Sequence, residues 1–324
     1  MKQLSIERLS RYLSQRAPIR ELFTEYSFPT SYEEQLQLVP HLETIANHNG
    51  YYLRMFLKKY LEQVELHAGG DIDDSLYDIM ASVIAAKELD PTEYDYLTYP
   101  IVSNEMIRMR ENPRIISGAN TTGFRTWEAA ICLSLILKSD SVWNTYSDSS
   151  VTVVELGSGT GLVSLLLLQR HKKSPFLKDI YITDGSVELV ENFKSTLTLN
   201  GFDPHDKNLH LQQLLWGDNI ENSTATYRNT DVLVGADITY DSSVLPCLIE
   251  ELKYFFTNSI QQYPQAIIGA TVRNEETIVA WECHLNENFA GKWSVSRPDL
   301  NDDEFLGDIY IKNKTWPINI YFIG

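Results

Sequence analysis

The chain is poor in cysteine, in positive charge and in unbroken apolar sequence. Its 324 residues include three cysteines, Cys132, Cys247 and Cys283, far apart and at no metal-ligand spacing. An odd, sparse count argues against a disulfide-stapled secreted scaffold and fits a reducing compartment. The seven histidines are equally scattered and read as surface or packed side chains, so no metal site is expected. No stretch approaches the roughly 18 consecutive apolar residues of a membrane span. The opening "MKQLSIERLSRYL" alternates charged with apolar residues where a signal peptide has an unbroken core. Basic residues number 27 against 44 acidic ones, a formal net charge of −17. Such a surface repels phosphate backbones and suits a basic protein partner, though charge kept for solubility explains it as well. These shortages lead to the expectation of a cytoplasmic protein that binds neither membrane nor nucleic acid; a monomer is expected, though no residue pattern sets the oligomeric state.

What is present divides into two patterns. Up to residue 112, "YEEQLQLVPHLETIANH", "YYLRMFLKKYLEQVELH" and "AGGDIDDSLYDIMASVIAAKE" repeat apolar residues every three or four positions, and no strand alternation stands out. Residues 1–112 are therefore expected to form an all-helical domain with a packing or docking role. The polar "RENPRIISGANTTG", with Pro113, Gly118 and Gly123, reads as the boundary. From 113 to 324 strands alternate with helices: "TVVEL", "DIYITD", "LHLQQLLW", "DVLVGAD" and "AIIGATV" as strands, helical stretches between most of them. The closing "FLGDIYIKNKTWPINIYFIG" reads as two antiparallel strands joined by a turn. The expected fold is a doubly wound, mostly parallel α/β sheet with an antiparallel C-terminal strand, which holds ligands at the carboxyl ends of its strands.

The first of these strands runs into alternating glycines, "VVELGSGTGLVSL". A phosphate loop of the Walker type needs a lysine after its glycines, and none follows here. The dinucleotide fingerprint needs a glycine at 162, which is Leu162, so a dehydrogenase is disfavoured. The glycines fall at Gly157, Gly159 and Gly161, with Glu155 leading into them and Asp184 closing the next strand. A carboxylate at the second strand end suits ribose hydroxyls. An acid leading into the loop opposes a pyrophosphate and favours a ligand bearing an ammonium and a sulfonium. The remaining reading is a glycine turn that merely closes a strand–helix joint.

Together, E-x-G-x-G-x-G and the strand-ending acid resemble class I S-adenosylmethionine-dependent methyltransferases. "LLWGD" adds Trp216 as a face for adenine, or as packing, and Asp218. The fourth strand ends in "ADITY", where amino-methyltransferases of planar nitrogens carry prolines that this chain lacks. Asp237 followed by Tyr240 resembles instead the D-x-x-Y signature of seven-strand protein-lysine methyltransferases. A lysine amine, with a reference pKa of about 10.4, must lose its proton before it attacks. Asp237 would accept its hydrogen bond and aim the lone pair, and Tyr240 would wall the channel. The other reading makes Asp237 the N-cap of the next helix with Tyr240 packed beneath it.

"TTGFRTWEAA", with Gly123 and Trp127, is similar to the G-x-x-x-W segment of that lysine methyltransferase group. "IISGANTTG", "TVRNEET", "ELGSGTGL" and, more loosely, "FPTSY" and "YYLRMFLKKYL" are similar to the subgroup that methylates a lysine of eukaryotic elongation factor 2. The resemblance covers residues 114–280 best. It implies S-adenosylmethionine as cofactor, held by Trp127, Glu155, Gly157, Ser158, Gly159, Gly161, Asp184, Trp216 and Ala236, and a substrate channel at Asp237 and Tyr240. Arg273 and Asn274 would lie at the same rim, ordering substrate or loop, or serving only as salt bridge and helix cap. Elongation factor 2 is the implied partner. The alternatives are another protein substrate, or a methyltransferase fold that binds a partner without turnover.

Overall fold

The computed structural model describes residues 2–67, 71–102, 105–113, 122–146, 150–217 and 226–324. Asp218 and residues 114–121 of the boundary loop lie outside the described residues. By contacts the chain divides into two units: residues 1–100, 108–115 and 307–312 form one, and residues 101–107, 116–306 and 313–324 the other.

In the first unit, β1 (Lys2–Gln3) and β2 (Tyr26–Ser27) pair briefly beside helices Ile6–Ser14 and Ile19–Glu25, followed by Tyr32–His67 and Asp74–Val83. The two helical stretches expected around residues 32–67 form one bent helix. Asn49 leaves helical geometry at φ −149° and ψ 75°, and its Oδ1 accepts the backbone N–H of Tyr52 at 3.0 Å, so it caps the second stretch as an N-cap does. Leu9, Leu13, Leu22, Leu38, Leu42, Phe56 and Tyr60 are buried together on the apolar stripes. A bidentate pair of Arg16 with Asp95, at 3.0 and 2.7 Å, is buried among them.

Two findings depart from the sequence expectation here. First, residues 1–112 are not wholly helical: β3 (Asp95–Val102) and β4 (Glu105–Glu111) pair in a two-stranded sheet, of which residues 101–107 fall in the second unit. In β4 Ile107, Met109 and Glu111 are buried and Met106 and Arg108 exposed, a period of two masked by residues that also favour helices. Second, the expected strand near 308–312 does not form. Residues 307–312 belong to the helical unit, where Tyr310 joins the core and its backbone N–H donates to Gln15 Oε1.

The second unit is built on a seven-stranded sheet of β5 (Val151–Leu156), β6 (Leu177–Asp184), β7 (Leu209–Gln213), β8 (Val232–Ala236), β9 (Gln265–Thr271), β10 (Trp293–Ser296) and β11 (Ile318–Ile323). Its order is β10-β11-β9-β8-β5-β6-β7. The strands from β9 to β7 run parallel, and β11 lies antiparallel to both β9 and β10. The last strand thus pairs antiparallel with "WSVS" and with β9, not with the segment just before it. β5 is buried along its whole length, as a central parallel strand covered on both faces requires. Helices Leu245–Asn258 and Glu275–Phe289 close one core with Phe255, Trp281 and Tyr321, while Glu128–Leu137 packs on β8, β9 and β11. The strand order reverses between β5 and β8, the switch point at which such sheets open a crevice.

Candidate active site

A cavity of about 510 Å³ opens at that switch point, within the range of nucleoside-sized ligand sites. Its walls bring together Trp127, Glu155, Gly157, Ser158, Gly159, Asp184, Trp216, Ala236, Asp237 and Tyr240. Gly161 is not among them. It turns the chain into the helix Leu162–Lys173 at φ +82°, and a Cβ there would lie 2.0 Å from the Phe193 ring, so only glycine fits. Gly159, at φ +54°, faces backbone: a Cβ would stand 3.3 Å from the carbonyl oxygen of Gly123. Each glycine of the loop thus meets a different neighbour, Gly157 the Ile238 side chain, Gly159 the segment before Trp127 and Gly161 the Phe193 ring. Thr126 and Thr160 tie the loop to the segment before Trp127 by a 2.8 Å hydroxyl contact.

The first wall holds two carboxyl groups with no basic side chain among their hydrogen-bond partners. Glu155 is buried, and Ser164 donates to its Oε2 through both backbone N–H and hydroxyl. Burial pushes this carboxyl up to about 8, against the pull of Ser164 and with the help of the negative charge of Asp184. Asp184 accepts the N–H of Gly159 on Oδ2 and that of Ser186 on Oδ1, each at 2.9 Å. Burial raises it too, against the pull of the backbone N–H groups of Ser186, Gly159 and Gly185.

The opposite wall is built differently. Asp237 sits in the left-handed region, at φ +53°, which aspartate tolerates better than most residues. Its Oδ1 accepts the N–H of Thr271 at 2.8 Å, and its Oδ2 accepts the Thr271 hydroxyl at 2.9 Å and Arg273 Nη2 at 3.1 Å. Asp237 caps no helix, because the next one starts at Leu245 with Val244 as N-cap. Tyr240 is 55% exposed at the mouth and is not packed beneath that helix. Asn274 is the N-cap of Glu275–Phe289, accepting the N–H of Glu276. Trp127 donates its indole N–H to the carbonyl of Thr122 at 3.0 Å, with the guanidinium groups of Arg125 and Arg273 over its ring at 4.2 and 4.6 Å.

Sequence reasoning did not select Arg125, Thr126, Leu215, Ile238 or Cys247, all of which line the cavity. Arg125 and Thr126 sit inside the quoted "TTGFRTWEAA", Leu215 inside "LLWGD" and Ile238 inside "ADITY"; no motif marks Cys247. The strand expected through Trp216 stops at Gln213, and Leu214 to Trp216 leave the sheet to form wall. A second cavity of about 660 Å³, lined by Lys253, Phe256, Tyr263 and Lys292 among others, includes Gln265 at the start of β9. It therefore lies away from the carboxyl ends and includes none of the motif residues.

The residues present fit S-adenosylmethionine: backbone that permits close approach, buried carboxyls without cations, and two tryptophans. The profile of a family described as lysine methyltransferase matches residues 111–277. The chain is 29% identical over 297 residues to protein-lysine N-methyltransferase EFM3 of Saccharomyces cerevisiae, covering 85% of each chain. It is 34% identical to EFM3 of Chaetomium thermophilum, over 68% of this chain and 66% of that one. Against human protein-lysine N-methyltransferase EEF2KMT identity is 26%, over 75% and 72%. The fold, the cavity and these matches converge: the chain belongs to the lysine methyltransferase family and is an S-adenosylmethionine-dependent protein-lysine N-methyltransferase.

Proposed function

We propose that this enzyme methylates a lysine of eukaryotic elongation factor 2 in the cytoplasm, acting as a monomer. The observation that carries the reading is the two-walled cavity, with uncompensated carboxyls on one side and an oriented aspartate on the other. The choice of substrate is supported by the likeness to the elongation factor 2 subgroup in "TVRNEET" and "ADITY".

In this reading S-adenosylmethionine supplies the electrophilic methyl group. The first wall is the cofactor's: Glu155 and Asp184 face positive charge and ribose hydroxyls, Gly157, Ser158 and Gly159 give backbone access, and Trp127, Trp216 and Ala236 close around them. Gly161 sets the loop's exit. Asp237 accepts a hydrogen bond from the substrate amine, and its triple anchoring keeps that direction fixed, so that alignment supplies the rate. Tyr240, exposed at the mouth, walls the entry. The helical N-terminal unit docks the folded partner; Leu66 and Ile84, 79% and 62% exposed, offer apolar contact there.

Purified enzyme incubated with labelled S-adenosylmethionine and a lysate of cells lacking it tests this. One labelled band at the size of elongation factor 2, absent with Asp237→Ala, is expected. Label on a different protein overturns the substrate; no label despite cofactor binding overturns the assignment of the site.

A further inference from the structure

Arg273 occupies a position that the proposed reaction does not by itself require. Its Nη2 donates to Asp237 Oδ2 at 3.1 Å and also to Glu128 Oε2 at 3.0 Å. Glu128, the first residue of the helix Glu128–Leu137, is buried and has Arg125 at 4.0 Å from its Oε1. The two guanidinium groups lie over the ring of Trp127. Asp237, Glu128, Arg125 and Arg273 thus form a linked quartet of two negative and two positive side chains with a formal charge of zero.

We propose that Arg273 is a positioning residue that balances the charge of Asp237, so that the acceptor carboxylate directs a lysine amine without locking it as ammonium. An isolated carboxylate within about 4–6 Å of an amine favours the protonated form by a unit or more, and that form has no lone pair to attack. A cation on the far side of the carboxylate opposes this while leaving its direction intact. The neutral donors from Thr271 fix geometry without adding charge. Around the same cavity the other charged or titratable groups are Arg125 before the helix Glu128–Leu137, Glu155 on β5, Asp184 on β6, and Tyr240 and Cys247 beyond β8. From the segment before β11, Trp316 stands against Arg273 and Asn313 against Glu128, both uncharged. Arg273 is therefore the cation that Asp237 meets directly.

The inference rests on the reading of Asp237 as the residue that receives the amine. The experiment is the pH profile of kcat with purified elongation factor 2, with S-adenosylmethionine affinity measured by calorimetry at each pH. Arg273→Gln is expected to move the rising limb about one unit to higher pH, about tenfold slower near neutrality and approaching wild type in alkali, with KM for the protein substrate unchanged or lower. Arg273→Lys, which keeps the charge, stays on the wild-type limb. Glu128→Gln removes one negative charge from the quartet and moves the limb to lower pH, which tests the idea even if Arg273→Gln fails to fold. Thr271→Val slows the reaction by one factor at every pH. A uniform loss in Arg273→Gln with no displaced limb, or no displacement in Glu128→Gln, overturns the inference and makes Arg273 a brace. Failure of the underlying reading looks different: wild type leaves elongation factor 2 unmodified, or Asp237→Asn keeps full activity.

Discussion

The two walls of the cavity solve opposite electrostatic problems. On the β5–β6 side, Glu155 and Asp184 are buried against hydroxyl and amide donors, and burial raises both. On the β8–β9 side, Asp237 and Glu128 are buried too, yet share a guanidinium nitrogen of Arg273. Burial without a cation raises a carboxyl, and Glu155, at about 8, keeps its proton near neutrality until a cation comes. A buried carboxylate with one is already neutralised and free to orient something else. The first arrangement suits a resident ligand that brings its own positive charge; the second suits an acceptor that must arrive without it.

The largest way to break this division is to remove the carboxylate of Asp237, proposed to receive the amine. Asp237→Asn should lower kcat about 100-fold through lost alignment while leaving S-adenosylmethionine affinity within about twofold, measured by single-turnover kinetics and calorimetry. Gly161→Ala should act on the exit of the glycine loop behind the β5–β6 wall, costing about 3 kcal/mol of stability from left-handed strain and overlap with Phe193, visible in denaturant melts. Glu155→Gln sharpens the contrast through pH. The folded value of about 8 lies above the ordinary 4.5, so the folded chain keeps a proton that the unfolded chain releases. Its contribution to stability is full below pH 4.5 and is lost as pH rises through about 8; the melting temperature of Glu155→Gln, compared with wild type, should lack that component of the decline. Tyr240→Phe should change kcat least, about threefold or less, because the exposed ring keeps its wall.

Much of the β5–β6 wall was legible because its signals are local. Glycines at alternate positions, an acid before them and an acid at the next strand end follow from strand period and turn geometry. The β8–β9 wall was legible only in part. "DITY" named Asp237 and Tyr240, but the bond from Arg273 to Glu128 spans 145 residues, and no periodicity reports a contact of that separation. The same limit hid β10, whose four residues are a strand only because β11 lies beside them. Ile309 to Ile311 are a short apolar run and are buried, but the segment belongs to the helical unit, where Tyr310 joins the core, instead of pairing in a sheet. In β4, arginine, methionine and glutamate pointed to helix, and pairing with β3 overrode the propensity.

The most direct test of the two-wall account is proton release when S-adenosylmethionine binds, read by calorimetry at pH 7 in buffers of different ionisation enthalpy. A carboxyl near 8 that ionises to meet the ligand's positive charge releases about one proton, and Glu155→Gln releases almost none. Binding without proton release in wild type, or equal release in Glu155→Gln, would contradict the claim that the cofactor wall waits for a cation.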